Sequence, residues 1–145
     1  MKRLFFLCSF IMLLTFTAFC DNEKPVPRVE LPQPIQQFID TNYYGIAFRG
    51  ATYDAEEKEY EILMEEGVKL EFNQKGAWMD VRSPKLTGIF QKLLPQKLLN
   101  DFYTRTPRET IIEVSKEKKG YELKTLSGKE FHYNSKGKFL KMEKD

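Results

Sequence analysis

Carboxylates dominate the chemistry open to this sequence. They recur as close pairs, Glu59 with Glu61 and Glu65 with Glu66, and two such groups facing one substrate are what glycoside hydrolysis or other acid–base chemistry needs. Alternation along a half-buried strand yields the same spacing without any reaction, because every second side chain is left in water. The cluster Asp54, Glu56, Glu57 and Glu59 offers the oxygen ligands that calcium takes, yet it lacks the Asp-x-Asp-x-Asp-Gly order of an EF-hand loop and reads as a solvated hairpin tip. His132 is the single histidine. The only cysteines are Cys8 and Cys20, so no transition-metal set can be completed around it. Ser115, Ser127 and Ser135 fall at strand ends or turns, outside any Gly-x-Ser-x-Gly elbow, and no Gly-rich phosphate loop occurs. The reading is therefore no catalytic residue, no metal and no cofactor.

The elements that position these residues come from a repeat. Tyr60-Glu61, Gly67, Asn73, Lys75-Gly76 and Trp78 recur 61 residues later as Tyr121-Glu122, Gly128, Asn134, Lys136-Gly137 and Phe139. Each copy opens on a Leu-Pro step, Leu31-Pro32 and Leu94-Pro95, with Pro tolerated in a first helical turn. Behind them, Ile35, Phe38 and Ile39, and then Leu98, Leu99 and Phe102, carry the spacing of one buried helix face. Strands are predicted at 46–53, 59–65, 68–73 and 77–81, and again at 109–115, 121–126, 129–133 and 138–142. Tyr60, Ile62, Met64, Val68, Leu70 and Phe72 alternate onto a core face, as do Tyr121, Leu123, Thr125, Phe131 and Tyr133. The fold class is α+β: tandem helix-plus-four-strand units, 31–82 and 88–143, form one antiparallel sheet with helices on one face and the other face open. Ser83-Pro84 and Gly88 mark the joint as a hinge.

Ahead of this single domain, 31–145, Met1-Lys2-Arg3 and the uncharged apolar run Leu4 to Phe19 read as an export signal, with 16 residues against the ~20 that span a bilayer. Thr17-Ala18-Phe19-Cys20 leaves two routes open. Cleavage after Cys20 releases a soluble periplasmic protein, and cleavage before it frees Cys20 for lipidation and an envelope anchor. Residues 21–30, with Pro25 and Pro27, read as a mobile tether. Losing residues 1–20 removes Lys2 and Arg3 and no acid, leaving 21 basic against 21 acidic side chains. A neutral mature chain lacks the footprint of a nucleic-acid binder. It also retains no internal disulfide, so packing alone must hold it.

On the open face, Glu61, Glu71, Lys124, Glu130 and His132 are expected beside two aromatics. If Met79 and Val81 point inward, and Leu140 and Met142 do so in the second copy, Trp78 and Phe139 point outward, and exposed aromatics among charges are what binding hot spots use; a bulge or reversed phase would instead turn Trp78 inward. These seven residues are the expected docking surface for a protein or peptide of the envelope. A competing reading, a small hydrolase or lyase, rests on Glu59, Glu61, Glu65 and Glu71 alone, and a structural envelope protein is a third.

The pattern Leu31-Pro32-x5-Phe38-Ile39, Tyr60-Glu61-Ile62 and Gly67-Val68-Lys69-Leu70-Glu71-Phe72-Asn73-x2-Gly76-x-Trp78 resembles the PepSY-like family of exported bacterial proteins, common in the Bacteroidetes, over about residues 29–143. The resemblance implies a β-lactamase-inhibitor-like fold, similar to β-lactamase inhibitory protein, whose repeats present a concave sheet. It further implies a non-enzymatic, inhibitor-like binding module. Two departures stand out: Tyr43-Tyr44 replaces a common Phe-Pro step after the first helix, and Lys124 occupies the place of Leu63.

Overall fold

A computed structural model describes residues 22–144. The expected export signal and Cys20 lie outside the described residues. Nine strands follow one another as an antiparallel meander in chain order: β1 (Glu23–Pro25), β2 (Phe48–Asp54), β3 (Glu59–Met64), β4 (Lys69–Asn73), β5 (Trp78–Arg82), β6 (Ile111–Glu117), β7 (Gly120–Thr125), β8 (Lys129–Asn134) and β9 (Phe139–Lys144). Helix α1 (Gln33–Asn42) precedes β2, and α2 (Phe90–Leu93) and α3 (Gln96–Arg105) lie between β5 and β6. All eight expected strands are present with ends shifted by no more than two residues.

Helix packing explains which face is closed. Ile35 and Ile39 of α1 are buried, and Phe38 meets Phe72 edge-on with ring centroids 5.2 Å apart. From α3, Leu98, Leu99 and Phe102 are buried, and Phe102 meets Phe131 in the same T-shaped way, also at 5.2 Å. Each fully buried Phe is worth roughly 1.5–3 kcal/mol in area alone, and such ring pairs add about 0.5–1.5 kcal/mol. Both helices therefore cover the side carrying Ile62, Leu70, Phe72, Leu123, Phe131 and Tyr133, all 1% exposed or less. Tyr43, at the Tyr-Tyr departure, is also core, while Tyr44 is exposed.

Two segments differ from their sequence reading. The expected tether is strand and turn from Asn22 onward: β1 pairs with β2, Val26 N–H donates to Ala51 O at 2.9 Å, and Arg28 pairs with Asp40. The free edge of β2 offers unmet backbone groups, and satisfying them outweighs the Pro content, which an edge strand tolerates. The expected hinge is packed as well. Ile89 and Phe90 join the core, Ser83 is fully buried, and β5 pairs directly with β6, so one sheet runs through the joint.

The hairpin tips tie sheet to helices. Asn73 Oδ1 accepts from the N–H groups of Lys75 and Ala77, both at 3.0 Å, and Asn134 Oδ1 accepts from those of Lys136 and Lys138 at 3.0 and 2.9 Å. In each turn a glycine adopts positive φ, +84° at Gly76 and +76° at Gly137. Each also passes against a helix start: a Cβ would stand 3.1 Å from Pro34 Cβ at Gly76 and 3.1 Å from Leu98 N at Gly137. Gly137→Ala should therefore cost more than the ~1 kcal/mol of an ordinary unfavourable Gly→Ala change. Phe102→Ala should cost about 3–5 kcal/mol. Urea unfolding of both variants checks this, and a neutral Gly137→Ala would refute the close-approach account.

Candidate functional site: the uncovered sheet face

The ladder register assigns every side chain to a face. Across the uncovered side, one row runs Glu61, Glu71, Asp80, Ser115, Glu122, His132, Lys141 from β3 to β9. A second row runs Leu63, Lys69, Arg82, Glu113, Lys124, Glu130, Glu143. Seven carboxylates thus share two rows with four Lys or Arg side chains, so this face is acidic although residues 21–145 carry equal numbers of acidic and basic side chains. Glu61, Glu71, Lys124, Glu130 and His132 all stand where alternation put them.

Trp78 and Phe139 do not, and this corrects their expected outward direction. Glu71 pairs with Asp80 but Phe72 pairs with Trp78, leaving Met79 as an extra residue. His132 pairs with Lys141 but Tyr133 with Phe139, leaving Leu140 extra. One bulge residue reverses the phase of everything before it. Trp78 consequently faces the helix side beside the core, with the Lys116 ammonium 5.3 Å from its ring centroid. Phe139 lies against Tyr133 under the Arg105 guanidinium, 3.9 Å from its ring centroid. Leu140, expected inward, is 57% exposed.

Most charges on the open face are matched. Lys69 Nζ lies 3.0 Å from Glu61 and 3.4 Å from Glu71, and against the desolvation of burial these two carboxylates hold its ammonium above the ordinary lysine range. Arg82 donates to Glu113 at 3.0 Å. Lys124 Nζ stands 3.5, 3.7 and 3.9 Å from Glu113, Glu130 and Glu122. Glu65, from the competing carboxylate set, pairs with Arg49 beyond the strand end, away from Glu61 and Glu71. The Asp54 cluster is a turn: Asp54 Oδ1 accepts from the N–H groups of Glu56 and Glu57 at 2.8 and 3.0 Å.

Asp80, Glu113, Glu122 and Arg82 were not singled out as site residues from sequence, and Ser115, expected at a strand end or turn, stands inside β6; Asp80 is the exception among these. Its Oδ2 accepts from the Ser115 hydroxyl at 2.5 Å, and no ion pair includes it among the described residues. Burial pushes its carboxyl up to about 7; Glu113 and Glu71 add to this, and Ser115 and Lys124 oppose it. Asp80 and Ser115 line a depression of about 430 Å³ where β5 meets β6. Alternation with Val81 inward already sends Asp80 outward; what sets it apart, the lack of a paired cation among the described residues, leaves no signal in the sequence.

Among the described residues, the one group spaced to hold a metal is Glu122, Glu130 and His132, with ligand atoms within 4.8 Å of one another. Burial first, then Glu130, raises the Glu122 carboxyl, with His132 and Lys124 opposing. His132 Nε2 is buried without a hydrogen bond, 3.3 Å from Glu143 Oε2. The Lys124 ammonium already supplies positive charge between the two glutamates.

Two outcomes check this geometry. A carboxyl whose pKa is raised on folding binds protons more readily folded than unfolded, so its contribution weakens the fold as pH climbs from about 4 to about 7. Asp80→Asn should remove much of that decline and raise stability at pH 8; an unchanged pH profile would count against the burial argument. Trp78→Ala and Phe139→Ala should each lower stability by about 1–3 kcal/mol, read by thermal melting, as helix-side packing requires.

Residues 58–141 match the family model described as "Putative beta-lactamase-inhibitor-like, PepSY-like". No curated protein matches the chain. Among solved structures, a periplasmic protein of the DUF2874 family from Bacteroides vulgatus is 25% identical with a TM-score of 0.74, covering 86% of this chain and 99% of its own. A second B. vulgatus periplasmic protein, of unknown function, is 22% identical with a TM-score of 0.75, covering 83% and 98%, and speaks to the fold. A periplasmic protein from Bacteroides thetaiotaomicron, described as calcium-regulated, is 25% identical with a TM-score of 0.73, covering 83% and 96%.

Proposed function

Because the chain belongs to the PepSY-like, β-lactamase-inhibitor-like family of exported, periplasmic proteins, we propose that it is a non-enzymatic binding module that docks another envelope protein or peptide on the uncovered face of its sheet. The observation that carries this reading is the separation of faces. Helices and core occupy one side of a nine-stranded sheet, while the other presents two registered rows of mostly charged side chains. Such a surface is rigid because the ladder fixes each Cα, so docking loses little backbone entropy. Leu63, 46% exposed beside Pro25 and Gly50, supplies an apolar anchor at one end. Trp78 and Phe139, facing the helices, drop out of the docking set, which becomes Glu61, Glu71, Lys124, Glu130 and His132 with Asp80 at its centre. If the partner is an enzyme, occupation of its own surface by this sheet acts as inhibition.

Two finer readings accompany this. The matched turns at Asn73 and Asn134, with the same bulge and the same glycine under a helix start, support descent of the halves from one copied unit. Residues 1–20 serve as the export signal, with soluble release and lipidation at Cys20 told apart by the mass of the mature N-terminus.

Photo-crosslinkers placed singly at Leu63, Glu71 and Glu130, and for comparison at Gln37 and Lys97 on the helix side, test the docking face in the native envelope. Discrete adducts should form from the first three positions and not from the last two. Adducts confined to the helix side would overturn the reading.

A further inference from the structure

Resting on the reading of the open sheet as a docking face, we propose that the depression over Asp80 seats a lysine or arginine side chain of the docked protein. All six other carboxylates in the two rows have a Lys or Arg nitrogen within 4 Å: Glu61 and Glu71 share Lys69, Glu113 takes Arg82 and Lys124, and Glu122 and Glu130 share Lys124. The sixth, Glu143, pairs with Lys141 at 2.7 Å. Asp80 alone of the seven has only a hydroxyl, that of Ser115. It sits at the floor of a depression of about 430 Å³, room for the end of a long cationic side chain.

The surroundings fit an organic cation better than a divalent metal. Around Asp80 stand Glu71 and Lys69 from β4, Arg82 from its own strand, Glu113 and Ser115 from β6, and Lys124 from β7. Glu59, Lys116 and Glu117 lie at the rim. Lys69, Arg82 and Lys124 are held by other carboxylates, and Lys116 lies over the Trp78 ring. Asp80 is not part of the metal-spaced trio: Glu71 and Glu113 stand near it without converging on it at ligand spacing, and a divalent ion needs several oxygens that do. An ammonium or guanidinium needs one charged acceptor and neighbouring oxygens, which Asp80, Ser115 and Glu71 provide. The surplus of carboxylates over both rows selects a protein segment with several basic residues over a single small cation.

A cation on Asp80 favours its ionised form, so docking at mildly acidic pH must release a proton. Affinity should then rise with pH up to about 7 and level off above it.

The test uses the mature protein and synthetic peptides of alternating Lys and Thr, with Glu/Thr and norleucine/Thr peptides, spermidine and calcium chloride as comparison arms, followed by calorimetry in buffers of different ionisation heat. The Lys/Thr peptide should bind, more weakly with salt and with proton uptake by buffer below pH 7. Asp80→Asn should weaken it about tenfold or more and abolish the proton release, while Glu30→Gln, at an exposed carboxylate outside both rows, leaves both nearly unchanged. Equal binding by Asp80→Asn, equal binding by the norleucine peptide, or binding of calcium or spermidine as tight as that of the peptide would overturn the proposal. If no basic peptide binds while crosslinks still form from Leu63 and Glu71, this proposal fails and the docking face stands; loss of both removes the docking face as well.

Discussion

The pairing of β5 with β6 is the constraint on which the rest depends. Only three residue pairs join the strands, Asp80 with Ser115, Val81 with Val114 and Arg82 with Glu113, reinforced by Ser83 N–H donating to Ile112 O at 2.8 Å. Through them the first five strands and the last four become one ladder. Val81 and Val114, both fully buried, hold the closed side of this seam, and Arg82 with Glu113 holds the open side. A slip by one residue would invert the faces of an entire half.

From that seam follows the electrostatic character of the protein. A chain with equal numbers of basic and acidic residues after residue 20 becomes polar through folding, because alternation collects acids on the uncovered rows while many lysines and arginines fall on helices, turns and the helix side. Ion pairing within the rows keeps the arrangement tolerable. Desolvation at the seam is what sets Asp80 apart, since the strands on either side of β5 bring Glu71 and Glu113 close and, among the described residues, no cation to within pairing distance.

Sequence reading was strongest where a period was long. The alternation of Ile62, Met64, Leu70 and Phe72, and of Leu123, Phe131 and Tyr133, identified the closed face, and the i, i+3, i+4 spacing of Leu98, Leu99 and Phe102 identified a helix that packs on it. It failed at single-residue events. A bulge at Met79 and another at Leu140 are invisible to alternation, and both turned aromatics inward that counting sent outward. Segment 22–30 was misread because its prolines argue against structure locally, whereas the edge of β2 that recruits it lies far along the chain. The Asp80 depression was beyond reach for a related reason: it is assembled from β4 to β7, and its chemistry depends on which charges lack a neighbour.

The short first strand has a consequence for how the protein behaves in company. An open meander leaves two lateral borders, each a row of unsatisfied amides that invites another chain to add itself. At one border the strand is three residues long and ends in Pro25, whose nitrogen has no proton to give; at the other, Lys141, Glu143 and Lys144 crowd the last strand with charge. Addition of another chain along either border is thereby discouraged.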